Sequence, residues 1–326
     1  MVALALLAVV LSAAAAGPER RALVYTRAVD LPSEAVWIAD ADGRRPRRLV
    51  SGWGGVISPD GRWVAFQRCH RRARRCHAVS PDLWLVRARG GEPRLLSEWT
   101  WVLEWSPHSR RIVAQRGKSL VTIELSTGDT RVLDRGEFHG ADFSPDGRSL
   151  VYARARQENA CGSRSTSVHA VRIDRGPPRK LLDDGLYPVW GLPGIAFARL
   201  SKDCVARLWR VDTDGSRVRP ILLRVPREYE GGGVYGLRPY AWFPDGRRLL
   251  VGFRTEWGDY AAALDLRTKA IRRLGPQVDE LSRDGRFLLG TDAGAEYPYS
   301  IEIVRVADGR RRVIAHGRVC CAEWNR

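Results

Sequence analysis

Three sets of residues have the types and spacing to do chemistry. The first lies in CHRRARRCH, where Cys69, His70, Cys76 and His77 form a CH-x5-CH pattern. Thiolate and imidazole are the ligand types of tetrahedral zinc. The spacing matches no common zinc pattern, however, and oxidation competes for both sulfurs: one disulfide would staple the loop. The second is a recurring carboxylate. Glu104, Asp142, Glu280 and Glu323 each stand one place before Trp105, Phe143, Leu281 or Trp324 in similar phrases. A ring of such carboxylates would hold a divalent cation or a basic ligand; alternatively each caps backbone N–H groups or pairs with an arginine nearby. The third is aromatic: Trp53, Trp99, Trp101, Tyr187 and Trp257 fall between apolar runs. Grouped on a surface, they would take a flat partner such as a sugar, a peptide or a protein loop; otherwise they plug a rim. His139, beside Glu137 and Asp142, is the one histidine placed for acid–base work, and no nucleophile stands near it in a recognisable pattern.

What positions these residues is a phrase that recurs: ISPDGRWVAF (57–66), DFSPDGRSLVYA (142–153), WFPDGRRLLVGF (242–253), LSRDGRFLLGTD (281–292) and, more worn, WSPHSRRIVAQ (105–115). In Ser-Pro-Asp-Gly, proline presets the second position of a type I turn and glycine takes the left-handed conformation that closes it. The phrase is therefore a hairpin corner. The runs after it (WVAF, LVYA, LLVGF, FLLG) are apolar on both faces, so both faces are covered. A second apolar run and then a basic-apolar one follow each phrase, giving four strands, A to D, with the phrase at the A–B corner.

The residue aligned with the phrase serine falls at Ser58, Ser106, Ser144, Gly191, Phe243, Ser282 and Asn325, at intervals of 48, 38, 47, 52, 39 and 43. A period near 40–50 with four strands predicts a β-propeller. ALVYTR at Ala22 reads as a strand B with no A before it, and VCCAEWNR at the end reads as a strand A with nothing after it. Joined, they make one blade and close the ring, removing open edges. The expectation is an all-β, seven-bladed propeller, or six blades if the unit at 190–200, which lacks Asp-Gly, is false. On this map Cys69 and Cys76 share the B–C loop of blade two, and Cys161 and Cys204 occupy the B–C loops of neighbouring blades four and five, where they could bridge. Cys320 and Cys321 are adjacent in the closing strand, as a vicinal bridge or as thiols. The five aromatics fall in D–A or B–C loops, which share one face, and Pro226–Tyr240 could fold over that face as a lid.

Val2–Leu11 is apolar and is followed by SAAAAG. That is a signal-peptide core with small residues before a cleavage site after Ala16, so residues 1–16 are read as a leader and 17–326 as the propeller. The run is shorter than the roughly 20 residues a spanning helix needs, and no later stretch is apolar enough. A periplasmic, cell-envelope or extracellular monomer is expected, for which disulfides are the default. The chain carries 54 Lys and Arg against 37 Asp and Glu, net +17, and only four of the 54 are lysine. This favours anionic partners; outside the cytoplasm, nucleic acid is not among them. The arginines sit in turns and outer strands and read as a solvated periphery.

The W/F-SPDGR-apolar signature resembles the TolB-like, WD40-like propeller repeats of bacterial exported proteins, and the resemblance covers essentially all of residues 22–326. It implies the fold. It implies little about activity, because such propellers serve as binding modules, scaffolds, peptidase accessory domains and a few lyases. TolB's separate α/β domain has no room here, and no Gly-x-Ser-x-Gly elbow marks a hydrolase domain. The expected function is a non-catalytic binding or scaffold module for a protein, peptide or glycan, without a resident cofactor. The alternative is a carbohydrate-active enzyme, a propeller lyase or hydrolase, using His139 and the channel carboxylates, with a divalent cation in the channel.

Overall fold

The computed structural model describes residues 22–30, 33–70, 81–158, 164–202, 204–222, 236–255, 258–276, 278–292 and 299–324. Blade one begins with β1 (Ala22–Asp30), β2 (Ser33–Asp40) and β3 (Arg47–Ser51). Blade two is β4 (Trp53–Ile57), β5 (Trp63–Arg68), β6 (Asp82–Arg87) and β7 (Arg94–Ser97). Blade three is β8 (Thr100–Trp105), β9 (Arg111–Arg116), β10 (Ser119–Glu124) and β11 (Thr130–Arg135). Blade four is β12 (Phe138–Phe143), β13 (Ser149–Glu158), β14 (Arg164–Arg172) and β15 (Arg179–Asp183). Blade five is β16 (Leu186–Gly191), β17 (Gly194–Leu200), β18 (Ala206–Val211) and β19 (Arg219–Leu222). Blade six is β20 (Gly236–Trp242), β21 (Arg248–Thr255), β22 (Gly258–Asp265) and β23 (Ile271–Pro276). Blade seven is β24 (Val278–Leu281), β25 (Phe287–Asp292), β26 (Tyr299–Arg305) and β27 (Arg311–Gly317). The chain ends in β28 (Val319–Trp324), which pairs antiparallel with β1, Leu23 opposite Trp324 and Arg27 opposite Val319. The result is seven four-stranded antiparallel sheets, with no helix among the described residues. The unit at 190–200 is a true blade, so the six-bladed alternative falls.

Blade corners that keep the phrase follow its turn chemistry. In blade two, Gly61 has φ +69° and its N–H donates to the Ser58 carbonyl at 2.8 Å. The serine does more than start the turn. Its Oγ donates to Asp60 Oδ1 at 2.6 Å and accepts the Trp63 N–H at 2.9 Å, tying the corner to strand B. Ser144 and Ser282 repeat both contacts. Beyond the corner, the B and C strands are buried on both faces: Val64, Ala65 and Phe66 are fully inside, as are Leu83 and Leu85.

The core has seven parts, one for each junction between blades. The cluster around Val36 and Phe66 joins blades one and two, and the one around Leu289, Ile301 and Trp324 joins blades seven and one. Ring closure thus buries the same kind of interface as every other junction. Trp37, Trp84 and Trp209, at one position of strand C, are each covered by a strand-B arginine of their own blade: Arg27, Arg68 and Arg199 lie 5.6, 4.9 and 5.0 Å from the ring centroids.

The arginines of the outer strands are more than a solvated periphery. Strand register aligns Arg47, Arg94, Arg131, Arg179, Arg219, Arg272 and Arg312, one per blade, opposite Ile38, Leu85, Thr122, Ala170, Arg210, Ala263 and Ile303 of strand C. Five of them reach across to the C–D turn of the next blade and donate to its backbone carbonyls. Arg94 bonds Leu125 O at 2.9 Å, Arg131 bonds Asp174 O at 2.5 Å, and Arg47 bonds Ala88 O at 2.5 Å. Arg179 takes both Asp214 O and Thr213 O, and Arg272 takes both Ala307 O and Val306 O. The fork of the guanidinium suits this work, since two donors can span two consecutive carbonyls. Arg219 and Arg312 make no such bond.

Candidate functional site

The register of strand A with strand B defines one recurring position near the D–A end of the sheet. It is occupied by Trp53 (opposite Gln67), Trp101 (Gln115), His139 (Ala153), Leu186 (Ala198), Arg238 (Gly252) and Cys320 (Thr26). The structure therefore brings Trp53, Trp101 and His139 to equivalent places on three consecutive blades. This corrects the sequence reading, which put them in loops; they lie within strand A, as does Tyr187. The cause is a register shift in every A strand just before the carboxylate position. Such a bulge bends the strand and re-aims its side chains. Gly54, Gly140 and Tyr187 occupy the bulge with φ of +58°, +69° and +50°.

Exposure separates these residues. Trp101 is 40% exposed and Trp99 37%, whereas Trp105 of the repeat position is buried. His139 is exposed and Trp53 half-buried. Trp257 lies outside the described residues, as do residues 226–235 of the expected lid; residues 236–240 belong to β20 instead.

Trp99 is held rather than loose. Its backbone is left-handed, with φ +52°, and its N–H donates to Asp82 Oδ1 at 3.0 Å. Asp82, at the start of β6, also meets His70 Nδ1 at 3.0 Å. The His70 ring lies 4.0 Å from that of Trp99, tilted by 35°. His70 and Asp82 are both buried. Asp82 was not foreseen; an aspartate opening a strand carries no mark in the sequence of what it will face.

His70 is thus fixed between Asp82 and Trp99. The zinc alternative is weakened at its first ligand, because Cys69 is disulfide-bonded and holds no thiolate. Cys76 and His77 lie outside the described residues. Cys204 is likewise disulfide-bonded, and Cys161 lies outside the described residues. Cys320 and Cys321 are in β28, their side chains outside them too.

Two members of the acidic series, Asp142 and Glu280, latch one blade to the next. Asp142 Oδ2 accepts the backbone N–H of Trp190, in the next blade, at 2.6 Å. Glu280 Oε2 accepts the N–H of Trp324 in the same way. Glu104 and Glu323 also have partners. Where valine replaces the acid, the next blade supplies the bond from its indole: Trp105 Nε1 donates to Val56 O at 3.0 Å and Trp242 Nε1 to Val189 O at 3.3 Å. This is the capping alternative rather than a cation ring at Asp142 and Glu280. Among the described residues no three His, Cys, Asp or Glu side chains are grouped to hold a metal.

Around Glu104 and Asp142 the A strands of blades three to six enclose a cavity of about 240 Å³. Its cation is Arg238, whose guanidinium lies 4.3 Å from the Tyr187 ring centroid and 5.1 Å from that of Tyr240. Glycine is required opposite: a Cβ on Gly252 would stand 2.3 Å from the Tyr240 ring. Arg238 forms no ion pair with a described carboxylate, leaving a positive group framed by tyrosines where Trp101 and His139 occupy the other blades.

No protein family matches the chain, and no curated protein does. Solved structures do. TolB from Acinetobacter baumannii is similar with a TM-score of 0.58 and 15% identity, over 90% of this chain and 79% of that one. An oligogalacturonate lyase in complex with manganese gives 0.61 and 15%, over 90% and 85%. The propeller domain of the Trilobed protease from Pyrococcus furiosus, described as having an open velcro topology, gives 0.58 and 15%, over 90% and 91%. In the present chain β28 pairs with β1 instead. At these identities the likeness is one of fold, and in fold the chain is a TolB-like seven-bladed β-propeller.

Proposed function

We propose that the chain is an exported, non-catalytic binding or scaffold propeller that recognises a protein, peptide or glycan bearing acidic groups on its D–A/B–C rim. The observation that carries this reading is the arc of Trp53, Trp101 and His139 on consecutive blades, with exposed Trp99 beside it and Arg238 unpaired across the channel mouth. Exposed rigid aromatics next to a lone guanidinium suit a flat anionic partner. The net charge of +17 would draw such a partner in. The leader-like Val2–Leu11 and the oxidised Cys69 and Cys204 support export.

A second reading, a carbohydrate-active lyase or hydrolase, has one observation in its favour. His70 has its Nδ1 fixed by the buried Asp82, an arrangement that orients an imidazole as a base. One experiment separates the two: a glycan and peptide array, followed by incubation of every hit with the protein. The binding reading expects hits that Trp101→Ala weakens at least tenfold and that persist without turnover. Cleavage of a hit, lost in His70→Asn, would overturn it in favour of the enzyme.

A further inference from the structure

On the opposite face from the rim, the junction of blades seven and one differs from its neighbours. Its turn carbonyl, Ala41 O, accepts the Trp324 indole N–H at 3.0 Å. At five other junctions the strand-D arginine reaches across to this turn. Here that arginine is Arg312, and it makes no hydrogen bond or ion pair among the described residues. Instead it lines a cavity of about 400 Å³ at the seam. The cavity wall is apolar, from Ala41, Phe287, Ile303 and Trp324, and its polar lining includes Arg283, Arg305, Arg310, Arg311 and Arg312 against one carboxylate, Asp42. Two of the five arginines share one carboxylate, Asp308, with Arg305 at the closer contact and Arg310 at 3.5 Å. Arg311 approaches Glu302 at 3.8 Å, and Asp42 is paired with Arg44. Arg283 and Arg312 are left as the unpaired cations.

We propose that this seam is a second binding site, for a small organic anion with an aromatic or apolar body. The body lies against Phe287, Ile303 and Trp324, and its phosphate or carboxylate is taken by Arg312 and Arg283. Guanidinium groups recognise both anions through forked donors. The volume is that of a small-molecule pocket and is too small for a two-chain lipid. At this junction the turn carbonyl is bonded by the indole of the closing strand, and the strand-D arginine is left facing the cavity.

The test is isothermal titration of the full chain at low salt with 1-naphthyl phosphate, and with inorganic phosphate and 1-naphthol as its halves. The expected result is saturable binding of the whole probe, at least tenfold tighter than of either half. Arg312→Gln and Arg283→Gln should each weaken it at least fivefold, while Arg219→Gln, at the same register of another blade, leaves it unchanged. These side chains are exposed, so an unchanged melting curve checks that each variant folds. Absence of saturable binding, equal binding by all three variants, or inorganic phosphate binding as tightly as the whole probe would overturn the proposal.

Discussion

Replacing Arg47, Arg94, Arg131, Arg179 and Arg272 together by glutamine removes the bonds by which five blades hold the next blade's turn. Glutamine keeps some of the aliphatic stem but is too short to reach the same carbonyls. A net hydrogen bond is worth about 0.5–1.5 kcal/mol, and these are solvent-accessible, so about 0.5–1 kcal/mol per junction is reasonable. The five lie at separate junctions and share no partner, so their effects should add, to about 2.5–5 kcal/mol. That is a large part of the roughly 5–15 kcal/mol that holds a typical domain folded. For a chain of this size it corresponds to a fall in Tm of about 4–7 °C. The acceptors are neutral carbonyls, so the loss should persist at high salt, unlike that of a surface ion pair. One opposing effect is controlled internally. Removing charge from a chain of net +17 relieves repulsion, and Arg219→Gln with Arg312→Gln removes charge at the same register without breaking a bond. Urea denaturation of the wild type, the fivefold variant and this control decides the matter. Equal stability of the fivefold variant and the control would refute the bracket as a structural device.

Trp324→Ala should cost about 3–5 kcal/mol, the usual range for a buried tryptophan, because it empties the seam core and orphans Ala41 O; amide exchange should accelerate in β1 and β28 first, and uniform acceleration around the ring would contradict closure by β28. Ser144→Ala should cost about 1–2 kcal/mol at pH 7, since the hydroxyl holds both Asp146 and the Ser149 N–H. The Ser144 hydroxyl bond, with the Arg148 N–H, holds the Asp146 carboxyl below its ordinary value; a depressed carboxylate stabilises above its unfolded pKa and loses that contribution as pH falls through the folded one. The gap between wild type and Ser144→Ala should therefore be widest at neutral pH and narrow below about pH 4, as urea curves across that range would show; a gap constant with pH would exclude the carboxylate. Burial, and then the bond to Asp134 Oδ2 at 2.7 Å, push the Tyr152 phenol far above its ordinary range. Tyr152→Phe should thus leave the alkaline phenolate absorbance titration unchanged until the protein unfolds, and a lost step before unfolding would show that the group is not sealed.

What the sequence made legible is what it says many times. The Ser-Pro-Asp-Gly corner fixes local geometry by itself, through the ring of proline and the left-handed glycine, and its recurrence makes the period readable despite the worn copy at 190–200. Even the pairing of head and tail follows from two incomplete units that complement one another. Contacts between blades were harder to read, because they depend on how far one sheet is rotated against the next, and no single repeat contains that angle. The carboxylates of Asp142 and Glu280 could be counted in the sequence, but whether they faced a cation or the next strand's N–H was set by the junction. The strand-D arginines are equally visible as PRRL, EPRL, DTRV and PRKL, but their sequence reads as a solvated periphery because the carbonyls they reach lie 31 to 43 residues ahead. The same limit applies at the rim. Trp53, Trp101 and His139 become equivalent only once the strand-A bulge is known, and Asp82 becomes notable only once His70 and Trp99 are folded over it. The residues the two proposals rest on are those at which one blade departs from the others. Arg312 is the sharpest instance: its type and its register obey the repeat, yet the turn carbonyl across its junction is bonded by Trp324 of the closing strand.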